Sequence, residues 1–197
     1  MSTNLKYRFV ESALEPGMIL AGRNEAPDAR YARAIRACLG SYTNHNGLFI
    51  NDRDHWFVGE AVKPRSRLTT LAEYEDAMNR LNYRVRVWKV TAANDDAKDF
   101  VSCYFRTHLL GLKYANHSIA KLAVFRFVNN VPWKMHIHGV WCTELVSKAW
   151  GMTPFDPFLK PENGKPKNNP TPRTPENRLV AGVLTDVTDQ VLECRSV

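Results

Sequence analysis

Val140-Trp141-Cys142-Thr143-Glu144-Leu145-Val146 sets a cysteine at the start of an amphipathic helix. Cys142, Leu145, Val146, Ala149 and Trp150 recur at helical spacing, so a single apolar stripe carries the thiol at its N-terminal end. Gly139 breaks the chain just before, and Gly151 with Pro154 stops it just after. A helix N-terminus holds unpaired N–H groups and about half a unit of positive charge, which favour thiolate over thiol. The thiolate is the nucleophile, so this placement suits an activated cysteine. A small buried hydrophobe is the competing reading, since free cysteine is among the most buried residue types. A base elsewhere in the chain decides between them.

The candidate base is His45, in Tyr42-Thr43-Asn44-His45-Asn46-Gly47-Leu48-Phe49-Ile50. A polar turn, Asn51-Asp52-Arg53-Asp54, leads into a second strand-like run, His55-Trp56-Phe57-Val58-Gly59-Glu60-Ala61-Val62, and the two read as a β-hairpin. A symmetric four-residue loop pairs Ile50 with His55 and sets His45 opposite Glu60, with Cβ atoms about 4.5–5.5 Å apart. Glu60 then fixes the imidazole through one ring nitrogen and leaves the other for Cys142, the nucleophile–base–orienter arrangement. A register slip of one residue would move Glu60 to the other face of the sheet.

These segments resemble the circularly permuted papain-like amidases, the permuted NlpC-type cysteine peptidases of the YiiX/YaeF kind, in which the histidine strand precedes the cysteine helix. The similarity runs through Pro16-Gly17-Met18-Ile19-Leu20 (first strand) and Asn44-His45-Asn46-Gly47-Leu48 (histidine strand). It continues through Val58-Gly59-Glu60-Ala61, the Gly-x-x-Tyr turn Leu110-Gly111-Leu112-Lys113-Tyr114, and Trp141-Cys142-Thr143-Glu144-Leu145-Val146. Asn44 stands where the family favours serine, Asn46 where it favours an apolar residue, and Thr143 where it favours serine. Ala115-Asn116 replaces a common aspartate after Tyr114. The resemblance implies an α+β, permuted papain-like fold, a mainly antiparallel sheet packed against the cysteine-bearing helix. It also implies a Cys142–His45–Glu60 triad, with Tyr114, Asn44, Trp141 and His138 as candidates for touching substrate or oxyanion, and no cofactor.

Composition is that of a globular chain: 197 residues, 44% hydrophobic, long enough to bury a substantial core. We expect a single catalytic domain over 1–197, with an irregular Pro-rich excursion at about 153–176. No apolar run approaches the roughly 18 residues of a membrane span, and the N-terminus lacks the apolar stretch of a secretory signal. Cytoplasmic synthesis follows, with delivery to the envelope by a phage or a secretion machine. Cys38, Cys103, Cys142 and Cys194 are widely spaced and suggest neither a disulfide framework nor a zinc finger. His136-Ile137-His138 with His108 or His117 is too loose a set for a metal site. The net charge of +7, with Arg30, Arg33 and Arg36 spaced along one helix, suits peptidoglycan or another anionic cell-envelope polymer. No nucleic-acid motif accompanies that charge.

The remaining pattern predicts a strand near 17–22 and helices over 69–81 and 95–110, the latter burying Phe100, Cys103, Tyr104, Thr107 and Leu110. It also predicts a strand over 83–91, an apolar helix near 117–125, and returning edge strands within 179–187 and 190–197. The function expected is a cysteine hydrolase that cleaves amide bonds through a thioester, in peptidoglycan peptides; a lysin or an interbacterial toxin fits such a chain. Two alternatives come from other classes. One is a thiol acyltransferase or lipase acting on lipid acyl groups; the other is a non-catalytic binding protein that keeps the fold, for which a fully buried Cys142 would speak.

Overall fold

The computed structural model describes residues 5–26, 29–39, 41–81, 83–115, 142–157 and 182–196. The expectations for 117–125, His136, His138, Trp141 and most of the Pro-rich excursion lie outside the described residues.

The fold is α+β. Six strands form one antiparallel sheet: β2 (Ile19–Asn24), β3 (His45–Asp52), β4 (His55–Ala61), β5 (Ser66–Thr70), β6 (Tyr83–Val90) and β7 (Leu184–Asp186), in the order β5-β4-β3-β2-β6-β7. β1 (Leu5–Phe9) pairs instead with β8 (Leu192–Ser196) in a separate two-stranded ribbon. The C-terminal segment thus joins the N-terminus and not the main sheet, contrary to the expectation of an edge strand there. Helices α1 (Arg30–Leu39), α2 (Leu71–Arg80), α3 (Asp95–Tyr104) and α4 (Cys142–Trp150) complete the frame.

Alternation along the strands separates two cores. Ile19, Ala21, Leu48, Ile50 and Ala61 point to the face covered by α3 and α4, where Val101, Leu145, Val146 and Trp150 pack. Leu20, Phe49 and Val58 point the other way, against Leu71, Tyr74 and Met78 of α2 and Phe9 of β1. α2 starts sharply because Thr70 and Glu73 form a capping box: Thr70 Oγ1 accepts the Glu73 N–H and Glu73 accepts the Thr70 N–H at 3.0 Å.

The hairpin closes more tightly than its sequence suggests. Asp52 pairs with His55 across a two-residue turn, and Glu60 faces Gly47, so the expected Ile50–His55 and His45–Glu60 pairings are each displaced by two residues. Arg53 and Asp54 both take positive φ, 50° and 66°, the left-handed pair that a two-residue hairpin turn demands and that Asn-Gly usually supplies. A displacement of two preserves the face, so His45 and Glu60 still share one side of the sheet.

Two further departures have clear causes. The helix expected over 95–110 is α-helical only to Tyr104 and continues as a π-turn, Phe105–Leu109. Its buried face is Ala97, Val101, Phe105 and Leu109, whereas Phe100, Cys103 and Leu110 are exposed. Phe100, exposed, stacks on Tyr104 at 5.8 Å and Tyr104 on His108 at 4.6 Å between ring centroids, while Tyr104 itself is half-buried against the core, on the face expected of it. In α1, Arg36 turns inward and donates to the Asn24 carbonyl at 2.8 Å, so only Arg30 and Arg33 of the arginine series are exposed.

Candidate active site

The first residue of β3 is His45, and β2 pairs with it through Gly22. His45 Nε2 lies 2.9 Å from Glu60 Oε2. The other carboxylate oxygen is fully engaged: Glu60 Oε1 accepts from Thr69 Oγ1 at 2.7 Å and from Arg67 Nε and Nη2 at 3.1 and 3.0 Å. Arg67 is the direct cross-strand neighbour of Glu60 on β5. The His45 and Glu60 side chains keep only 14% and 5% of their exposure. Burial opposes ionisation of Glu60, but His45, Thr69 and Arg67 outweigh it and hold the carboxyl at about 2.

α4 brings Cys142 to this strand end from the opposite layer. The thiol comes near enough to His45 and to the Asn46 backbone for both to lower it, and its Sγ lies 3.9 Å from Thr143 Oγ1. Burial alone would raise the thiol; the imidazole's hydrogen bond and charge, then Asn46 and Thr143, bring it below the ordinary cysteine value. The imidazole moves the other way. Burial works against its charge, but the acidic groups around it, Tyr83 first and then Cys142 and Glu60, raise it well above the ordinary histidine value. Opposed shifts of this kind favour a thiolate–imidazolium pair. Cys142 itself is buried, at 7% exposure.

The far end of α4 is fixed by the Pro16-Gly17 turn. Trp150 Nε1 donates to the Gly17 carbonyl at 3.1 Å. Gly17 has φ of 77°, and a Cβ there would meet the Trp150 ring at 2.8 Å. Glycine is therefore needed twice over, for its backbone and for its missing side chain.

No family model and no curated protein matches the sequence. Among solved structures the chain is similar to the metalloprotein yiiX of Escherichia coli O157:H7, with 16% sequence identity and a TM-score of 0.49. The similarity covers 69% of this chain and 64% of that one, so the chain spans less than two thirds of that protein's length.

An open cleft of about 850 Å³ adjoins the histidine, lined among others by Asn44, His45, Glu60, Arg67, Tyr83 and Tyr114. Tyr114 reaches it because the Gly111 turn is stitched to β5: the Gly111 N–H bonds the Ser66 carbonyl at 3.0 Å and the Tyr114 N–H bonds the Pro64 carbonyl at 2.9 Å. Asn44 sits on the cleft wall, but its side-chain oxygen is occupied by the Asn24 N–H at 3.0 Å and by Arg36 at 3.2 Å. It does not orient His45. Among the described residues no group of three histidine, cysteine or acidic side chains could hold a metal ion, and no helix is long and apolar enough to cross a membrane.

Two residues at the site were not anticipated from sequence. Asn46 is fully buried and donates from Nδ2 to Thr143 Oγ1 at 2.8 Å. Tyr83 packs over Gly22, where a Cβ would come within 2.3 Å of its ring. An asparagine just before the apolar run Gly47–Ile50, and a glycine opposite the histidine, were the available signals.

Proposed function

We propose that the protein is a cysteine hydrolase of amide bonds, folded as a single catalytic domain of permuted papain-like arrangement. The observation that carries this reading is the His45 Nε2–Glu60 Oε2 hydrogen bond at 2.9 Å with Cys142 close to the same imidazole at the start of α4, the thiol lowered and the imidazole raised. Glu60 occupies His45 Nε2, so Nδ1 is the nitrogen that exchanges a proton with sulfur. The thiolate attacks the amide carbonyl, and the imidazolium gives its proton to the departing amine, leaving a thioester. His45, now neutral, takes a proton from water; the resulting hydroxide attacks the thioester carbonyl and Cys142 leaves as thiolate. The oxyanion of each tetrahedral intermediate fits the Cys142 backbone N–H at the start of α4, with Tyr114, on the cleft wall, as the candidate second donor.

The substrate class proposed is peptidoglycan peptide, in keeping with the net charge of +7 and an acidic polymer as partner. Digestion of purified peptidoglycan by the wild type and by Cys142→Ala, with fragments identified by mass spectrometry, tests it. Release of new amino termini by the wild type alone is the expected result. Release of fatty acid from lipid vesicles, with intact peptidoglycan, would instead assign the acyltransferase or lipase chemistry. The 7% exposure of Cys142 is the observation that favours a non-catalytic scaffold. Failure of iodoacetamide to label Cys142 in the folded protein would select that reading.

A further inference from the structure

The chain departs from the resembled family's pattern at Asn46 and at Thr143, and these two side chains are bonded to each other. Asn46 Nδ2 donates to Thr143 Oγ1 at 2.8 Å, and both residues are fully buried. The same Thr143 oxygen lies 3.9 Å from Cys142 Sγ. A hydroxyl that accepts from an amide keeps its own proton free to point elsewhere, and sulfur is the neighbour within reach. We propose that Asn46 and Thr143 form a two-residue relay that aims the Thr143 O–H at the Cys142 sulfur and stabilises its thiolate, and that both act as positioning residues for the nucleophile. This rests on the cysteine-hydrolase reading of the site.

Several features of the geometry make the pair more than packing. The backbone of Asn46 also lowers the thiol, so one residue favours the thiolate from its main chain and, through Thr143, from its side chain. Asn46 Oδ1 has no hydrogen-bond partner among the described residues, although it is buried. A buried amide left half-satisfied is costly, and apolar side chains of similar size are available to a strand interior. An asparagine at this point is explained if its donor is needed. The relay also joins β3 to α4 at the residues next to His45 and Cys142, which fixes the sulfur relative to the ring. A sulfur held by imidazolium, a backbone N–H and a hydroxyl has three donors where burial would otherwise keep it protonated.

The test is the pH dependence of Cys142 alkylation by iodoacetamide, resolved by peptide mass spectrometry so that Cys103 and Cys194, both exposed, report separately. Thr143→Val keeps the shape and removes the hydroxyl; its apparent thiol pKa should rise by about one unit, the lower range for one hydrogen bond to a charge. Asn46→Ala should shift it in the same direction, and the double variant should shift no further than Thr143→Val alone, because the asparagine acts through the threonine. Thr143→Ser should restore the wild-type value. Thermal denaturation of each variant separates a folding defect from a change at the sulfur. A wild-type-like pKa in both single variants overturns the relay and leaves the hydrolase reading standing. An ordinary cysteine pKa in the wild type itself overturns both. If Thr143→Val does not fold, the Asn46→Ala profile with Thr143→Ser decides: an unmoved midpoint in Asn46→Ala refutes the relay.

Discussion

Glu60→Gln tests the site at its most strongly held point. Both oxygens of Glu60 accept hydrogen bonds: Oε2 from His45, and Oε1 from Thr69 and twice from Arg67. Glutamine has one oxygen, so its NH₂ must face one of these donor groups. The three donors at Oε1 hold the oxygen, which leaves the amide nitrogen against His45 Nε2. The imidazole must then accept at Nε2 and carry its proton on Nδ1, the nitrogen that a base directed at Cys142 needs free. The thiolate–imidazolium pair also loses its charge partner. Glu60 lies at about 2 instead of 4.5, a difference of about 2.5 units and, at 1.36 kcal/mol per unit, on the order of 3 kcal/mol of interaction with its charged form. We expect turnover to fall by roughly ten- to a thousandfold. The alkylation profile of Cys142 should lose its low-pH plateau and move to higher pH as the thiol loses its imidazolium partner, while the alkaline limb of turnover should move to lower pH as His45 loses its raised value. Stability carries a second signature. A carboxyl depressed in the folded state contributes stability above its unfolded value, near 4.5, and loses it as pH falls through about 2. Urea titrations of wild type at pH 7, 4 and 2.5 should show that loss, whereas the glutamine variant should lack this component. Wild-type turnover together with an unchanged alkylation profile in Glu60→Gln would refute the reasoning.

Other expectations follow from the same geometry. At mildly acidic pH Cys142 should alkylate faster than Cys103 or Cys194 in spite of its burial, and His45→Ala should slow it; equal rates at all three would end the case for an activated thiol. Cys142→Ser should abolish hydrolysis, since an alkoxide is far harder to form than a thiolate, and residual full activity in product analysis would contradict the mechanism. Gly17→Ala should destabilise by roughly 2–4 kcal/mol, combining a left-handed backbone with overpacking against Trp150, measured as a shift in urea midpoint. Replacing Arg53-Asp54 by Asn-Gly should stabilise by about 1 kcal/mol, read as a Tm gain of roughly 2–4 °C; no gain would mean that the positive φ values of the turn carry little strain.

Much of the sheet could be read from the chain because alternation and turn residues agree there. Leu48 and Ile50 against Phe49, and the cap at Thr70, point to the elements that form. The hairpin register could not be read correctly, because Arg53 and Asp54 do not advertise a two-residue turn that needs positive φ at both positions. The His45–Glu60 side-chain contact survived that error, although the two residues are not paired across the strands, since the displacement was even. The face of α3 was misjudged at Phe100 because a large aromatic was weighted over Ala97 and Val101; Phe100 lies exposed and stacks on Tyr104, which does pack against the core. β1 was overlooked although Leu5-Lys6-Tyr7-Arg8-Phe9 alternates strictly, and its partner β8 lies at the opposite end of the chain, beyond any local pattern. Asn46 was noticed as a departure and as a substitute orienter of His45, but not as the partner of Thr143, since a hydrogen bond across 97 residues leaves no local trace.

That span has a consequence for the order in which the protein is made. His45 and Glu60 are only 15 residues apart and meet within one hairpin, a loop closure of small entropic cost. Cys142 leaves the ribosome long after that hairpin is complete, and it docks through contacts of high sequence separation that form late. The nascent chain therefore carries a poised acid–base pair with no nucleophile, then a free thiol with no base beside it, and only the docked helix makes the chemistry whole. Under the proposed hydrolase reading, activity awaits the docking of α4.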